Sequence, residues 1–276
     1  MQIRKLSDKK PKIVIFNGSP RKLKSCSNQT SKSQKLVEYV IEKFLPFVDF
    51  DVIDLSIGKV NIQPCKGCVS TSNGFHCHWK CDCYVKGDKV KTDLMYEADI
   101  YDKLESSDAF IIVSPIHWYS VSTQVKAMFD RLVCANQTIT QEQAVQIFGS
   151  GNAKKAELTG KAEIFGQYKH LLKNHLEGKW AAFYVHGDDG ANDYNGNQPD
   201  TGDRMWDVKN SVMPLVYQCR YSGIKCPDDL VEAFYINQGK PYYQANLDMD
   251  TEVEFFSRIN NLVEKLLKYL DEDKQI

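Results

Sequence analysis

The chain has 276 residues, 35 basic against 36 acidic, and a net charge of −1. It therefore lacks the basic excess that nucleic acid or an anionic membrane surface would demand of its partner. No apolar run is long enough to span a bilayer, and residues 1–10 have no apolar signal core, so a cytoplasmic protein with reduced thiols is expected. The length suits one enlarged domain over 1–276, with an N-terminal extension at 1–11.

The apolar run 13–16 ends at Asn17-Gly18 and reads as a strand buried on both faces. Ser33, Leu36, Val37, Val40, Ile41 and Phe44 then share one helical face, and Pro46 stops that helix. Residues 50–55 make a second strand. The stretch 56–93 is cysteine-rich and too long for an ordinary connection, which points to a functional insertion. A short helix follows at 96–105, a third strand at 109–113 and a helix at 121–133. Residues 136–178 read as mixed helix and loop. A fourth strand at 180–185 leads into an Asp/Asn/Gly-rich loop at 186–203. Residues 207–221 look helical despite Pro214, 230–235 make a fifth strand, and 255–270 form a strongly amphipathic closing helix. Strands alternating with helices predict an α/β fold, a doubly wound parallel sheet with right-handed crossovers.

The first strand ends in a turn rich in hydroxyls that leads into a helix. Phosphate binding needs free N–H donors and the positive end of a helix dipole, and this arrangement supplies both. Ser19, Ser27, Asn28 and Thr30 add side-chain donors, and Arg21 adds charge. The same residue types also cap helices with no ligand. Neither the dinucleotide fingerprint nor the nucleoside-triphosphate loop is present. The loop after the fourth strand fails the calcium pattern, because the required spacing meets Ala191 and no closing glutamate follows.

Gly18-Ser19-Pro20-Arg21 with Ser27-Asn28-Gln29-Thr30, and Ser114-Pro115-Ile116-His117-Trp118-Tyr119 followed by Lys126-Ala127-Met128-Phe129-Asp130-Arg131, resemble the flavodoxin-like NADPH-dependent FMN reductase family. The resemblance implies a five-stranded sheet of order 2-1-3-4-5 and FMN as cofactor, with NAD(P)H as co-substrate. It also implies a homodimer or homotetramer. Its phosphate site would use Ser19, Arg21, Ser27, Asn28 and Thr30. Its ring site would use Pro115, Ile116, His117, Trp118 and Tyr119 after the third strand, closed over by His186, Gly187 and Asp188. His117 either donates a hydrogen bond near the flavin or bonds nearby backbone. Asp130 and Arg131 are expected to pair at the helix end. No protein nucleophile is required, because the flavin carries the chemistry.

Cys65, Cys68, Cys77, Cys81 and Cys83 are candidate metal ligands, with His76 and His78 among them. The iron–sulfur branch of the family uses a compact four-cysteine motif. Aligned on Cys65 and Cys68, that motif meets Thr71 at its third position and Cys77 at its fourth. The missing ligand favours a segment without metal, at the edge of the active site or in a subunit contact, over an iron–sulfur cluster or zinc. The resulting expectation is an FMN-dependent oxidoreductase that reduces a quinone, a nitro compound or flavin. The alternatives are an electron carrier with protein partners and a flavin- or metal-binding regulator without turnover.

Overall fold

A computed structural model describes residues 9–21, 30–56, 60–72, 74–86, 89–90, 92–187, 208–235 and 251–273. Its centre is a parallel sheet of β1 (Lys12–Asn17), β2 (Asp49–Asp54), β3 (Ala109–His117), β4 (Trp180–Gly187) and β5 (Val231–Tyr235). The spatial order is β5-β4-β3-β1-β2, which is the 2-1-3-4-5 order expected, and Ser120–Val121 pairs antiparallel with the end of β3.

Strand alternation decides which helix layer each residue meets. Ile13 and Ile15 face one core with Ile111, Ala182 and Tyr184, while Val14 and Phe16 face the other with Phe110, Ile112 and Phe183. The first layer is α1 (Lys32–Phe44) and the long closing helix, which runs Val253–Asp273. The second layer comprises α2 (Ile100–Ser106), α3 (Thr123–Arg131), the cysteine-rich segment and a helix at Met213–Tyr221. Pro214 sits in the first turn of that last helix, where its missing N–H costs no bond.

Several boundaries differ from those the sequence predicts, among them the helix expected at 207–221, which runs Met213–Tyr221 after a 3-10 turn at Val208–Ser211. The helix expected at 96–105 is two short helices, Leu94–Glu97 and α2, separated at Asp99, whose φ is 52°. The third strand runs on to His117, because Ser120–Val121 folds back and supplies partners beyond the sheet edge. His186 and Gly187 belong to β4 rather than to the loop after it. Within 136–178 lie α4 (Gln141–Phe148), α5 (Asn152–Thr159) and α6 (Ala162–Tyr168), with α4 started by a Thr140–Gln143 capping box. These helices close a separate small core around Phe75, Ile139, Ala144 and Phe148. The helices Met213–Tyr221 and Val253–Asp273 are α7 and α8.

Candidate functional site

The carboxyl ends of β1, β3 and β4 lie side by side, where open α/β sheets bind ligands. β1 stops at Asn17, a buried residue that organises the turn. Its Nδ2 donates to Asp54 Oδ1 and to Gln34 Oε1, both at 2.8 Å, and its Oδ1 accepts from the Ser19 N–H at 3.1 Å. Gly18 follows where no side chain fits, since a Cβ would stand 2.7 Å from Val125 Cγ2 and 2.9 Å from Ser114 Cβ. Its N–H donates to the Val113 carbonyl at 2.7 Å, and the Ser122 hydroxyl donates to the Gly18 carbonyl while capping α3. Protein bonds alone thus hold this turn from both sides.

Ser19 is buried, and its Oγ accepts from the Arg21 N–H at 3.3 Å. The Arg21 guanidinium donates to the Thr30 carbonyl at 3.0 Å and so ties the two ends of segment 22–29 together. Ser27 and Asn28 fall in that segment, outside the described residues. The cap of α1 is Ser31, whose hydroxyl accepts from the Gln34 N–H at 3.1 Å. The first turn of α1 holds no acidic residue. Its positive end is left for an anion from elsewhere, which is the donor chemistry a phosphate needs.

On the ring side, Pro115 and Ile116 are half-buried and His117 is exposed. Ile116 presses on Gly187, where a Cβ would lie 2.8 Å from the Ile116 Cβ, so only glycine lets β3 and β4 approach this closely. The hairpin turns at Trp118 and Tyr119, both left-handed at φ 48° and 64°. Two consecutive left-handed residues match the primed hairpin turn, although neither is the usual Asn or Gly. Trp118 is 93% exposed and Tyr119 60%, an aromatic pair at the rim. Desolvation by the surrounding protein pushes the His117 pKa below the ordinary imidazole range. These donors at one end and aromatics at the other fit a flavin nucleotide.

His186 stands differently from its expected role over the ring. By strand alternation it faces the α1 and α8 layer, where it is 4% exposed and meets the Phe255 ring edge-on at 5.7 Å. Its Nε2 lies 2.9 Å from Ser33 Oγ in the first turn of α1, and its Nδ1 is buried without a hydrogen-bond partner. Burial pushes its pKa down to about 3, with repulsion from Lys32, His117 and Arg21 adding to it. Asp188 lies outside the described residues. Asn17, Ser122 and Ser33 are not among the site residues that the sequence predicts. A serine one residue before an amphipathic run is a cap signal that would have found Ser122.

The cysteines lie against the far end of α3. Cys68 Sγ and Cys83 Sγ are 3.2 Å apart, and both residues are half-buried. Cys81 is buried, and the neighbouring Cys83 thiol and the Arg131 charge pull its pKa below the ordinary thiol range. Desolvation pushes Cys77 up to about 12 and raises Cys65. Among the described residues, no group of three or more His, Cys, Asp or Glu side chains has the arrangement of a metal site. Asp130 and Arg131 do not pair with each other. Asp130 meets Lys126 one helical turn away, and Arg131 turns inward to Asp93 at 2.6 Å, with both side chains fully buried. A groove of about 800 Å³ is lined by Phe165, Lys169, Lys173 and Tyr221, none of which belongs to a strand of the sheet. No described helix is long and apolar enough to cross a membrane.

Residues 11–167 match the family described as NADPH-dependent FMN reductase. Two curated proteins named iron–sulfur flavoprotein align over 122 residues each. The one from Archaeoglobus fulgidus is 30% identical, covering 44% of this chain and 46% of that protein. The one from Methanosarcina thermophila is 28% identical, covering 44% and 52%. The chain thus spans about half the length of these relatives. Among solved structures, RosB with a bound 8-demethyl-8-formylriboflavin-5'-phosphate intermediate aligns at a TM-score of 0.53 and 12% identity, over 96% of this chain and 80% of that one, a likeness of fold.

Proposed function

The chain belongs to the NADPH-dependent FMN reductase family, and from that premise we propose that it takes hydride from NAD(P)H and reduces a small acceptor, such as a quinone, a nitro compound or free flavin. The observation that carries this is the pair of described segments Gly18–Arg21 and Thr30–Ser31, held by protein bonds beside a helix end whose first turn has no acidic residue. Ser19, Arg21, Ser27, Asn28 and Thr30 hold the phosphate. Pro115, Ile116, His117, Trp118 and Tyr119 wall the ring, and Gly187 and Asp188 border it. His186 acts from beneath, fixing Ser33 and the first turn of α1. Bound flavin supplies the redox chemistry, accepting hydride from the nicotinamide and passing electrons to the acceptor. The protein positions both substrates and excludes water, and a homodimer or homotetramer would cover the exposed Trp118 and Tyr119.

Incubation with FMN should give a yellow protein that bleaches with NADPH under anaerobic conditions and recolours on adding menadione. A protein that stays colourless after incubation defeats the proposal. Sustained NADPH oxidation with menadione distinguishes the enzyme from a carrier or a regulator without turnover.

A further inference from the structure

The proposed flavin chemistry uses none of the five cysteines between 65 and 83. We propose that Cys68 and Cys83 form a reversible dithiol–disulfide centre, oxidised by small hydroperoxides, and are not two ligands of one metal. The contact is set by the path of the chain as well as by two side chains. The Tyr84 hydroxyl donates to the Pro64 carbonyl at 2.7 Å, and Lys66 Nζ donates to the Cys83 carbonyl at 2.8 Å. Lys66 also lies over the Tyr84 ring at 4.5 Å. Residues 64–68 and 83–84 are therefore fastened together on both sides of the sulfur pair. Closing the 3.2 Å contact to a bond of about 2.05 Å is a short movement.

The same distance argues against metal. Thiolates about 2.3 Å from one zinc sit at the corners of a tetrahedron whose edges are about 3.8 Å, longer than this contact. Thr71 stands where the compact cluster motif needs its third cysteine. Both residues are half-buried and so within reach of a small reagent, and Cys81, two residues before Cys83, offers a third thiol for exchange.

The chemistry balances with the peroxide as oxidant. One thiol attacks the O–O bond, becomes a sulfenic acid and releases the alcohol. The second thiol displaces water from that sulfur and forms the S–S bond. Two electrons leave the sulfurs, the peroxide is reduced to alcohol and water, and two equivalents of a small thiol restore the pair.

The full chain, treated with tert-butyl hydroperoxide, is unfolded, alkylated and mapped by mass spectrometry. Two of the nine thiols should escape alkylation, the Cys68 and Cys83 peptides should be linked, and dithiothreitol should release both. Cys68→Ser should abolish the loss, and Cys226→Ser should leave it intact. Full alkylation after oxidant, a different pairing, or iron with acid-labile sulfide or stoichiometric zinc in freshly purified protein each overturns the proposal. It is independent of the flavin reading, since a colourless protein that forms this bond fails one test and passes the other.

Discussion

Burying His186 between Ser33 and Phe255 removes its protonated form. Desolvation, with the nearby positive groups, pushes its pKa from 6.5 down to about 3. A histidine that holds its proton more weakly when folded costs no stability above 6.5. Below that value the unfolded chain binds a proton that the folded chain refuses, so stability falls until the pH reaches the folded value. The loss approaches about 1.4 kcal/mol per pH unit, or about 2 kcal/mol between pH 7 and 5. Urea unfolding at both pH values should show His186→Gln losing less than the parent by about that amount. Equal losses would mean that His186 titrates normally. The sequence places His186 at the strand end and expects it over the ring, whereas the structure turns its side chain toward the α1 and α8 layer. The alternation that sends Trp180, Ala182 and Tyr184 to one layer sends His186 there too, one residue past the assumed end of the strand.

At the level of elements, Arg131 and Asp93 join α3 to the end of the cysteine-rich segment. Asp93 accepts from Arg131 Nη1 at 2.6 Å and also caps the helix Leu94–Glu97 through the Met95 N–H at 3.1 Å. Arg131 in turn donates to the Gln63 carbonyl at 3.1 Å and lies over the Tyr84 ring at 4.8 Å. Removing one member of a buried pair strands the other charge, which costs about 3–5 kcal/mol. Asp93→Ala should lower the unfolding free energy by that amount, read as a lower denaturant midpoint with an unchanged slope. Asp93→Asn keeps an oxygen for the cap, whose own worth is about 0.5–2 kcal/mol, and should lose less. Equal losses in the two variants would assign the effect to charge alone. This pair spans 38 residues, so no local periodicity reveals it, and proximity in sequence pairs Arg131 with its neighbour Asp130 instead. The strands and the two long helices were legible, because burial on one or both faces writes its period into the chain. The break at Asp99 and the extension of β3 to His117 were not, because a single left-handed residue and a returning hairpin set them.

Across the whole molecule, the proposed ligand would touch three strands that separate segments of sequence supply. The phosphate turn follows β1, the aromatic hairpin ends β3, and Gly187 ends β4. A ligand bound only by the folded chain stabilises it by about 2.7 kcal/mol at 100 times its dissociation constant. In a chain of this size that corresponds to a rise in Tm of about 5–10 °C. FMN should therefore raise the Tm, and riboflavin, which lacks the phosphate, should raise it less at equal concentration. Arg21 is the only cation the reading places on the phosphate, and a hydrogen bond to a charged group is worth about 1.5–3 kcal/mol. Arg21→Ala should weaken FMN binding about tenfold or more and leave riboflavin binding nearly unchanged, closing the gap between the two ligands. That substitution also frees the Thr30 carbonyl, so a loss shared equally by both ligands would mean that Arg21 only ties segment 22–29 together. An equal Tm rise with FMN and riboflavin in the parent chain would remove the phosphate from this turn altogether, and the functional proposal with it.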